Sequence, residues 1–297
     1  MINEPLFSVL IANHNDGKYI KEAIDSVFKQ TYSRWEIIIV DDKSTDNSYE
    51  VYNQYADDSR FHIYHNDENK GCGYTKRRLA ELANGDICGF LDADDALTSD
   101  AIQTMVDAHI MHLECSLIYS QYYKTDADMS IKEVSGHQHQ IPPGKTFLDM
   151  PFSGAVSHFA TFKTDLYRRT EGISPILKSA EDIDLYLKLE EVGQLLFIPQ
   201  PLYYYRTDTG NNISLGKNDG KAKIWDMVAR ISACQRRGVD PSRLDSIFST
   251  ILNGQYHDGF HEGRMSTQKT LQYRIGATFV SPFKKIKHLF GETDSKA

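Results

Sequence analysis

The chain has 297 residues, 40% of them hydrophobic and 25% charged, which is typical of a folded protein with one large domain, alone or with a modest appendage. A formal net charge of −8 provides no basic field, so nucleic acid is not an expected partner. The four scattered cysteines form no CxxC pair, which argues against a zinc site or a disulfide framework.

The N-terminus, Met-Ile-Asn-Glu-Pro, leads directly into a strand pattern without a basic segment or an apolar leader. No apolar run approaches the ~20 residues that a membrane-spanning helix requires. We therefore expect a cytoplasmic protein.

Four apolar runs near the N-terminus are typical of buried parallel strands, because each is nearly continuous and ends at turn residues. They cover residues 6–12, 35–40, 61–64 and 86–91. Helical spacing of the intervening apolar residues predicts helices over 19–30, 49–56 and 74–83. Strands that alternate with helices in this way predict an α/β fold with βαβ units and a mostly parallel sheet.

The pattern is less regular beyond residue 98. It predicts helices over 100–113 and 179–192, and strands over 116–123, 156–162, 195–199 and 202–206. Residues 124–146 are polar and rich in turn residues, and we expect a mobile loop region there. The chain from residue 211 onward is predicted to be mainly helical.

Polar residues follow three of the predicted strands: Asn13, Asp41-Asp42 and Asp92-Ala-Asp-Asp95. Ligands of parallel sheets bind beyond the carboxyl ends of the strands, so these clusters predict one site on one edge of the sheet. Three carboxylates within four residues repel one another unless a cation neutralises them, and oxygen ligands favour Mg²⁺ or Mn²⁺. The alternative is a solvated acidic loop that caps the helix starting near Thr98.

Six ordered segments resemble the motifs of family 2 glycosyltransferases, which have the GT-A fold. They are Phe7–Asn15, Ile24–Thr31, Ile39–Asp46, Phe90–Asp95, Ala180–Leu189 and Pro201–Arg206. The resemblance runs from about residue 6 to residue 206. It implies transfer of a sugar from a nucleoside-diphosphate sugar to a hydroxyl group, with inversion at the anomeric carbon and with Mn²⁺ or Mg²⁺ as cofactor.

The resemblance also implies roles for individual residues of the donor site. Asp42 is expected to bind the nucleotide base, with Ala12 and His14 lining its pocket. Lys76 occupies a position where many members have an arginine that contacts the diphosphate. Lysine keeps the charge of that arginine but lacks its bidentate geometry.

The acidic segment corresponds to the family's DXD motif. By that correspondence, Asp94 is expected to face the ribose or the metal ion, and Asp95 is expected to hold the metal ion near the diphosphate with Asp92.

Asp182 is the candidate general base, because the aspartate of this Glu-Asp pair takes the proton of the acceptor hydroxyl in family members. A structural role is the alternative. Ser179-Ala-Glu-Asp182 also matches a capping box, with Asp182 at the third helical position.

The expected organisation is a catalytic domain over 1–210 and a helical extension over 211–297. Residues 1–97 form the donor half of the catalytic domain and residues 98–210 the acceptor half. The acceptor is expected to be a saccharide or a lipid-linked glycan, and UDP the nucleotide, since the family most often uses it. Residues 124–160 and the C-terminal helices are expected to shape the acceptor site.

Two weaker patterns lie near the C-terminus. Residues 279–290 predict a basic amphipathic helix, which either contacts the inner face of the plasma membrane or packs on the catalytic domain. His257 and His261 have the spacing of two zinc ligands on a helix, but solvent-facing polar residues explain them as well.

Two other functions are compatible with parts of the pattern. A sugar nucleotidyltransferase would need a glycine-rich basic loop after the first strand, and residues 13–17 are acidic with one glycine. A non-catalytic nucleotide- or sugar-binding module would need neither the acidic motif nor Asp182.

Overall fold

The structure is a computed structural model that describes residues 4–151, 155–207 and 219–249. The chain divides into two compact units, Met1–Ile247 and Phe248–Ala297. In the described residues, nine strands form one sheet: β1 (Phe7–Asn13), β2 (Trp35–Asp41), β3 (Phe61–His65), β4 (Ile87–Phe90), β5 (Ala96–Leu97), β6 (Cys115–Thr125), β7 (Ile131–Val134), β8 (Ala160–Lys163) and β9 (Gln194–Arg206). The helices are α1 (Ile20–Phe28), α2 (Ser48–Tyr52), α3 (Cys72–Leu82), α4 (Ala101–Met111), α5 (Thr164–Tyr167), α6 (Glu181–Glu190) and α7 (Asp219–Arg237).

The first four strands are parallel, as predicted, and lie in the order β3-β2-β1-β4. Every residue of β2 is buried, so the sheet is covered on both faces there. Asn13 pairs with Asp41 at the ends of β1 and β2. This register brings the polar residues that follow the strands to one edge of the sheet.

Beyond β4 the sheet becomes mixed. β8 lies between β4 and β6 and is antiparallel to both. β9 is parallel to β6, and the two-residue strand β5 pairs antiparallel with β9. The α/β fold is confirmed, and its second half depends on strands that are far apart in sequence.

Two elements of this second half differ from the prediction. Residues 124–146 contain β7, which forms a hairpin with the end of β6 and pairs Tyr123 with Val134. All four residues of β7 are exposed, so they lack the apolar pattern of a buried strand. The strands predicted over 195–199 and 202–206 form one strand, β9, whose register on β6 shifts near Gln121.

Helix α7 lies beyond the predicted domain boundary at residue 210 and belongs to the first compact unit. Its Arg230 is fully buried, pairs with Asp226 at 2.9 Å, and donates a hydrogen bond to the Leu148 carbonyl oxygen at 3.0 Å. Arg237 of the same helix pairs with Glu190 of α6 at 2.8 Å. These buried and partly buried charges attach α7 to α6 and to the segment around Leu148.

The remaining C-terminal predictions fall on residues that the structure does not describe. These are the pair His257 and His261 and the amphipathic segment 279–290. Among the described helices, none has both the length and the apolar character needed to cross a bilayer.

Candidate active site

The carboxyl ends of β1, β2 and β4 converge, and the residues that follow them build the site. The backbone N–H of Asp42 donates to the carbonyl oxygen of Asn13 at 2.8 Å, which joins the first two strand ends. The backbone N–H of Leu91 donates to the Leu10 carbonyl oxygen at 3.0 Å, so the acidic motif after β4 continues alongside β1. The predicted edge-of-sheet cluster is therefore present.

A buried hydrogen-bond network occupies the ends of β1 and β2; we call Asn13, Asp41, Asp42 and their partners the strand-end network. The Asn13 side-chain oxygen is the one atom of these three side chains that is buried without a hydrogen-bond partner. The amide nitrogen of Asn13 donates to the Tyr52 hydroxyl at 2.6 Å, and that hydroxyl donates to Asp41 Oδ2 at 2.8 Å. The other carboxylate oxygen of Asp41 accepts the backbone N–H of Ser44 at 2.7 Å. Because these groups are buried and paired, the network holds the strand ends in one arrangement.

Asp42 is 4% exposed and holds the loop that precedes α3. Its Oδ1 accepts hydrogen bonds from Asn66 Nδ2 at 2.7 Å and from the Lys70 backbone at 2.8 Å. Its Oδ2 accepts the Gly71 backbone N–H at 2.8 Å. A nucleotide base that reaches Asp42 would meet a carboxylate whose orientation is already fixed.

His14 contacts Asp42, and Ala12 lies opposite Val40 of the neighbouring strand β2. His14 Nδ1 lies 2.8 Å from the carbonyl oxygen of Asp42, which only accepts hydrogen bonds, so Nδ1 carries the proton. Nε2 is then an acceptor for the side-chain amide of Asn69 at 3.1 Å. Ala12 is partly buried and is the penultimate residue of β1.

A cavity of about 210 Å³ opens next to the acidic motif. We call it the acidic cavity; the residues that bear on its chemistry are Lys76, Asp92, His158, Glu181, Asp182 and Tyr203. In chain order, they belong to α3, to the segment after β4, to the segment before β8, to the first turn of α6 (two residues) and to β9. Two of the predicted donor-site residues and the predicted base therefore line one cavity.

Lys76 bridges two carboxylates inside the acidic cavity. Its ammonium nitrogen lies 3.1 Å from Glu181 Oε1 and 3.5 Å from Asp92 Oδ1. The same Glu181 oxygen accepts a hydrogen bond from the Cys72 thiol at 3.2 Å. Burial, the largest single influence, acts to lower the pKa of Lys76. Asp92, Cys72, Glu181 and Asp182 together outweigh it and raise the pKa well above its usual value, so the ammonium stays charged.

Asp182 faces the acidic cavity from the first turn of α6. Its side chain is open to solvent at the cavity mouth, yet partial desolvation by the cavity walls, followed by the neighbouring Glu181 carboxylate, raises the pKa of Asp182 to about 6. A base with this pKa is ionised at neutral pH and still a good proton acceptor. The group therefore has the properties that acceptor activation requires.

The capping-box alternative for Asp182 is wrong, because α6 begins at Glu181 after Ala180 and has no side-chain cap. Ala180 has a φ of +60°, a left-handed conformation that is unfavourable for a residue with a Cβ. Asp182 Oδ1 accepts the backbone N–H of the adjacent Ile183 at 2.8 Å and does not close a box with Ser179. A buried pair in the same helix, Lys188 with Asp184 at 2.8 Å, holds α6 on the loop at Gly172 and Ser174.

The last aspartate of the acidic motif is enclosed. Asp95 is 1% exposed, and its oxygens accept the Tyr203 hydroxyl and the Arg206 backbone N–H, both at 2.7 Å. Burial, followed by repulsion from Asp94 and Asp92, raises the pKa of Asp95 well above its usual range. Such a carboxylate gains much from a nearby cation.

Asp94 has a second acidic neighbour that the sequence analysis did not identify. Burial, then Asp92 and Asp16, raises the pKa of Asp94 to about 7. Burial, then Asp46 and Asp92, raises the pKa of Asp16 to about 6. Asp16 lies in the loop after β1. Its position just after a predicted strand end could have identified it as a site residue from the sequence.

His158 is the other site residue missed from sequence, because a lone histidine in a strand-like run carries no pattern. Its Nδ1 lies 3.7 Å from Asp92 Oδ2. Ligand atoms of Asp92, Asp95 and His158 lie within 4.8 Å of one another, the one group of this kind in the described residues. Two carboxylates and an imidazole are a donor set that fits a divalent cation, whereas Asp94, a predicted ligand, is outside the group.

Comparison with known proteins identifies the family. The profile of glycosyl transferase family 2 matches residues 8–170, more than half of the chain. The chain belongs to glycosyltransferase family 2. The E. coli protein chondroitin synthase is 30% identical over 216 residues, which are 72% of this chain and 31% of that protein. The family 2 chain thus spans about a third of that relative.

Solved structures show that this family 2 glycosyltransferase has the GT-A fold. S. aureus TarS 1–349 in complex with UDP-GlcNAc has a TM-score of 0.70 at 19% identity and covers 88% of this chain and 77% of its own. The Pyrobaculum calidifontis mannosyltransferase PcManGT, in complex with GDP-Man and Mn²⁺, has a TM-score of 0.56 at 14% identity and covers 97% of this chain and 84% of its own.

Proposed function

We propose that the chain is an inverting, metal-dependent glycosyltransferase that moves a sugar from a UDP-sugar to a hydroxyl of a saccharide or lipid-linked glycan. Polysaccharide or glycoconjugate synthesis on the cytoplasmic side of the membrane is its proposed setting. The observation that carries the proposal is the acidic cavity, where Asp182, with a pKa raised to about 6, lies beside the Lys76–Asp92 ion pair.

The donor is proposed to extend from the strand-end network to the acidic cavity. Asp42, with Ala12 and His14, binds the base, because its carboxylate is fixed by three hydrogen bonds at the end of β2. Asp92 and Asp94 bind the ribose–diphosphate part together with the cation. Lys76 offers its ammonium to the diphosphate in exchange for part of its contact with Asp92, which is long at 3.5 Å.

In the transfer step, the acceptor oxygen attacks the anomeric carbon while the bond from that carbon to the diphosphate oxygen breaks. The acceptor proton passes to the Asp182 carboxylate, and the bond electrons leave with the nucleoside diphosphate. Lys76 offsets part of the charge that develops on this leaving group. A divalent cation held by Asp95 with Asp92, with Asp94 facing the ribose or the cation, as the family resemblance implies, would act as a Lewis acid toward the same oxygens.

UDP is the proposed nucleotide because TarS, which shares the fold, is described in complex with UDP-GlcNAc. Mn²⁺ or Mg²⁺ is the proposed cofactor because the mannosyltransferase that shares the fold is described with Mn²⁺ and because buried carboxylates of the motif have raised pKa values. Residues 279–290 are proposed to make a peripheral membrane contact, on the strength of their sequence pattern alone.

The proposal is tested with the full chain and a panel of UDP, GDP, CDP and dTDP, each with and without Mn²⁺, read out by thermal unfolding. A ligand at about 100 times its dissociation constant adds roughly 2.7 kcal/mol of stability. We expect stabilisation by UDP that increases with Mn²⁺, followed by UDP release from a UDP-sugar in the presence of acceptor glycans. Absence of stabilisation by every nucleotide would contradict the proposal and favour a non-catalytic module.

A sugar nucleotidyltransferase remains the second enzyme to test, and the same preparation distinguishes it. That enzyme would consume a nucleoside triphosphate and a sugar phosphate and release pyrophosphate. The loop after β1 disfavours it, since it contributes Asp16 next to the acidic motif and has a single glycine, Gly17, in place of a glycine-rich phosphate-binding loop. Pyrophosphate release without UDP release would reverse the assignment.

A further inference from the structure

The imidazole of His158 is held in a fixed orientation by aromatic rings. It stacks on Tyr205 with ring centroids 4.3 Å apart and on Tyr203 with centroids 5.4 Å apart, both within about 21° of parallel. The ring of Tyr122 meets it edge-on at 5.1 Å. A ring enclosed on three sides cannot turn freely, so the direction of its nitrogen atoms is set before any ligand binds.

The contact between His158 and Asp92 is not a hydrogen bond. The 3.7 Å between Nδ1 and Oδ2 exceeds the usual hydrogen-bond range of about 2.7–3.2 Å. Two ligand atoms that are each about 2.1 Å from one ion stand roughly 3–3.4 Å apart, for octahedral or tetrahedral angles. The observed gap therefore needs to close by only a few tenths of an ångström for both atoms to bind one ion.

Asp95 has a ligand oxygen within 4.8 Å of those of Asp92 and His158, and it shares a partner with His158. Tyr203 stacks on His158 and donates its hydroxyl proton to Asp95 Oδ2 at 2.7 Å. One side chain of β9 thus positions both the imidazole and the innermost carboxylate. Each Asp95 oxygen keeps a second lone pair, since each accepts a hydrogen bond from a neutral donor.

We infer that His158 supplies a nitrogen ligand, next to Asp92 and Asp95, to the divalent cation of the donor site, and that this nitrogen makes the site select Mn²⁺ over Mg²⁺. The inference rests on the proposed metal-dependent function. Carboxylates serve both ions well, whereas imidazole suits transition metals and contributes little to Mg²⁺ binding. A motif that used Asp94 and Asp95 alone would distinguish the two ions far less.

The test measures metal binding by the full chain without turnover. Mn²⁺ is titrated with and without UDP and followed by electron paramagnetic resonance, and electron spin echo modulation detects ¹⁴N bound to Mn²⁺. His158→Phe preserves the stacking on Tyr203 and Tyr205 but removes both ring nitrogens. His158→Gln provides a second change of different shape, and His112→Gln, at an exposed site 42% accessible, is the control.

We expect ¹⁴N modulation in the wild-type protein and in the control, and its loss in both His158 variants. The dissociation constant for Mn²⁺ should rise about tenfold or more in those variants, while that for Mg²⁺ changes less than threefold. Absence of ¹⁴N modulation in the wild type, or unchanged Mn²⁺ affinity in His158→Phe, would overturn the inference. UDP binding measured separately in EDTA reports on the donor site without metal. UDP binding without ¹⁴N modulation would contradict the role of His158 alone, whereas absence of UDP binding would contradict the proposed function.

Discussion

Two groups of aspartates follow strands of the same sheet, yet their surroundings are opposite. In the strand-end network, the carboxylates of Asp41 and Asp42 accept hydrogen bonds from backbone and side-chain donors on several sides. In the acidic motif, Asp94 and Asp95 have raised pKa values, because burial and like charges outweigh their hydrogen bonds. Hydrogen bonds within the folded chain satisfy the carboxylates of the first group, whereas a bound cation would stabilise those of the second.

The comparison implies different consequences when a carboxylate is removed. Loss of a carboxylate from the strand-end network removes bonds that the fold uses, so stability falls. Loss of the Asp94 carboxylate from the acidic motif removes repulsion from Asp92 and Asp16, so stability rises while function falls.

The largest effect is expected for Asp182→Asn, which keeps the shape of the side chain and removes its basicity. The rate of sugar transfer should fall about 10²–10⁴-fold, the usual contribution of a general base, with the UDP-sugar dissociation constant unchanged within twofold. Steady-state rates and calorimetric binding measure the two quantities. Asp165→Asn, in the exposed first turn of α5, is the matched control. Turnover in Asp182→Asn near that of the control would remove Asp182 from the mechanism.

Asp42→Asn should destabilise the protein by about 2–4 kcal/mol, because one buried oxygen that accepts hydrogen bonds becomes an N–H₂ group facing donors. Chemical denaturation measures the free energy of unfolding. Asp67→Asn, an exposed site in the same loop, should change it by less than about 0.5 kcal/mol. Equal stability of the two variants would show that the strand-end network does not hold the loop.

Asp94, Asp16 and Asp182 make stability depend on pH. Their folded pKa values of about 7, 6 and 6 lie above 3.8, the ordinary pKa of an aspartate side chain. Between about pH 4 and 7 the native state therefore binds more protons than the unfolded state, and the free energy of unfolding falls as pH rises. Asp94→Asn should flatten this slope and add about 1–2 kcal/mol at pH 8 and nothing at pH 4.

Thermal unfolding from pH 4 to pH 8 in EDTA measures this slope, with exposed Asp128→Asn as the control. Mn²⁺ should stabilise the wild-type protein more at pH 8 than at pH 5, because protons compete with the cation for the same carboxylates. A slope in Asp94→Asn identical to that of the wild type would contradict the electrostatic description of the acidic motif.

The smallest effect is expected at Ala180, where the left-handed backbone precedes α6. Ala180→Gly relieves a cost of about 1–2 kcal/mol, partly offset by the greater freedom of glycine in the unfolded chain. A net gain of about 0.5 kcal/mol is expected by urea denaturation, and Ala180→Val should lose stability instead. A loss in Ala180→Gly would mean that the Ala180 methyl group makes contacts that outweigh the backbone strain.

The parallel half of the sheet could be predicted because each buried strand is a continuous apolar run next to its own helix. β1 was expected over 6–12 and lies at Phe7–Asn13, and β2 was expected over 35–40 and lies at Trp35–Asp41. The polar residues that end these strands were placed correctly for the same reason. Local sequence determines where each strand ends, and the register of β1 on β2 then brings the two polar ends together.

The second half was harder because its strands acquire their environment from distant residues. β8 begins at Ala160, later than predicted, since Phe159 has a φ of +54° that no apolar pattern reveals. β7 is fully exposed on β6, so it lacks alternation. His158 enters the site through rings of β6 and β9, and those contacts exist only once the sheet is assembled.

The position of β8 has a consequence for how the chain assembles. β8 joins β4 to β6, with Thr161 opposite both Gly89 and Ile118, so the sheet cannot be joined until residues 160–163 have been synthesised. Until then the parallel half, whose strands all lie before residue 91, has an unpaired edge at β4. That edge is only four residues long and is followed by the acidic motif, which discourages pairing with another nascent chain. The same carboxylates that are proposed to bind the donor would then also protect the chain during its synthesis.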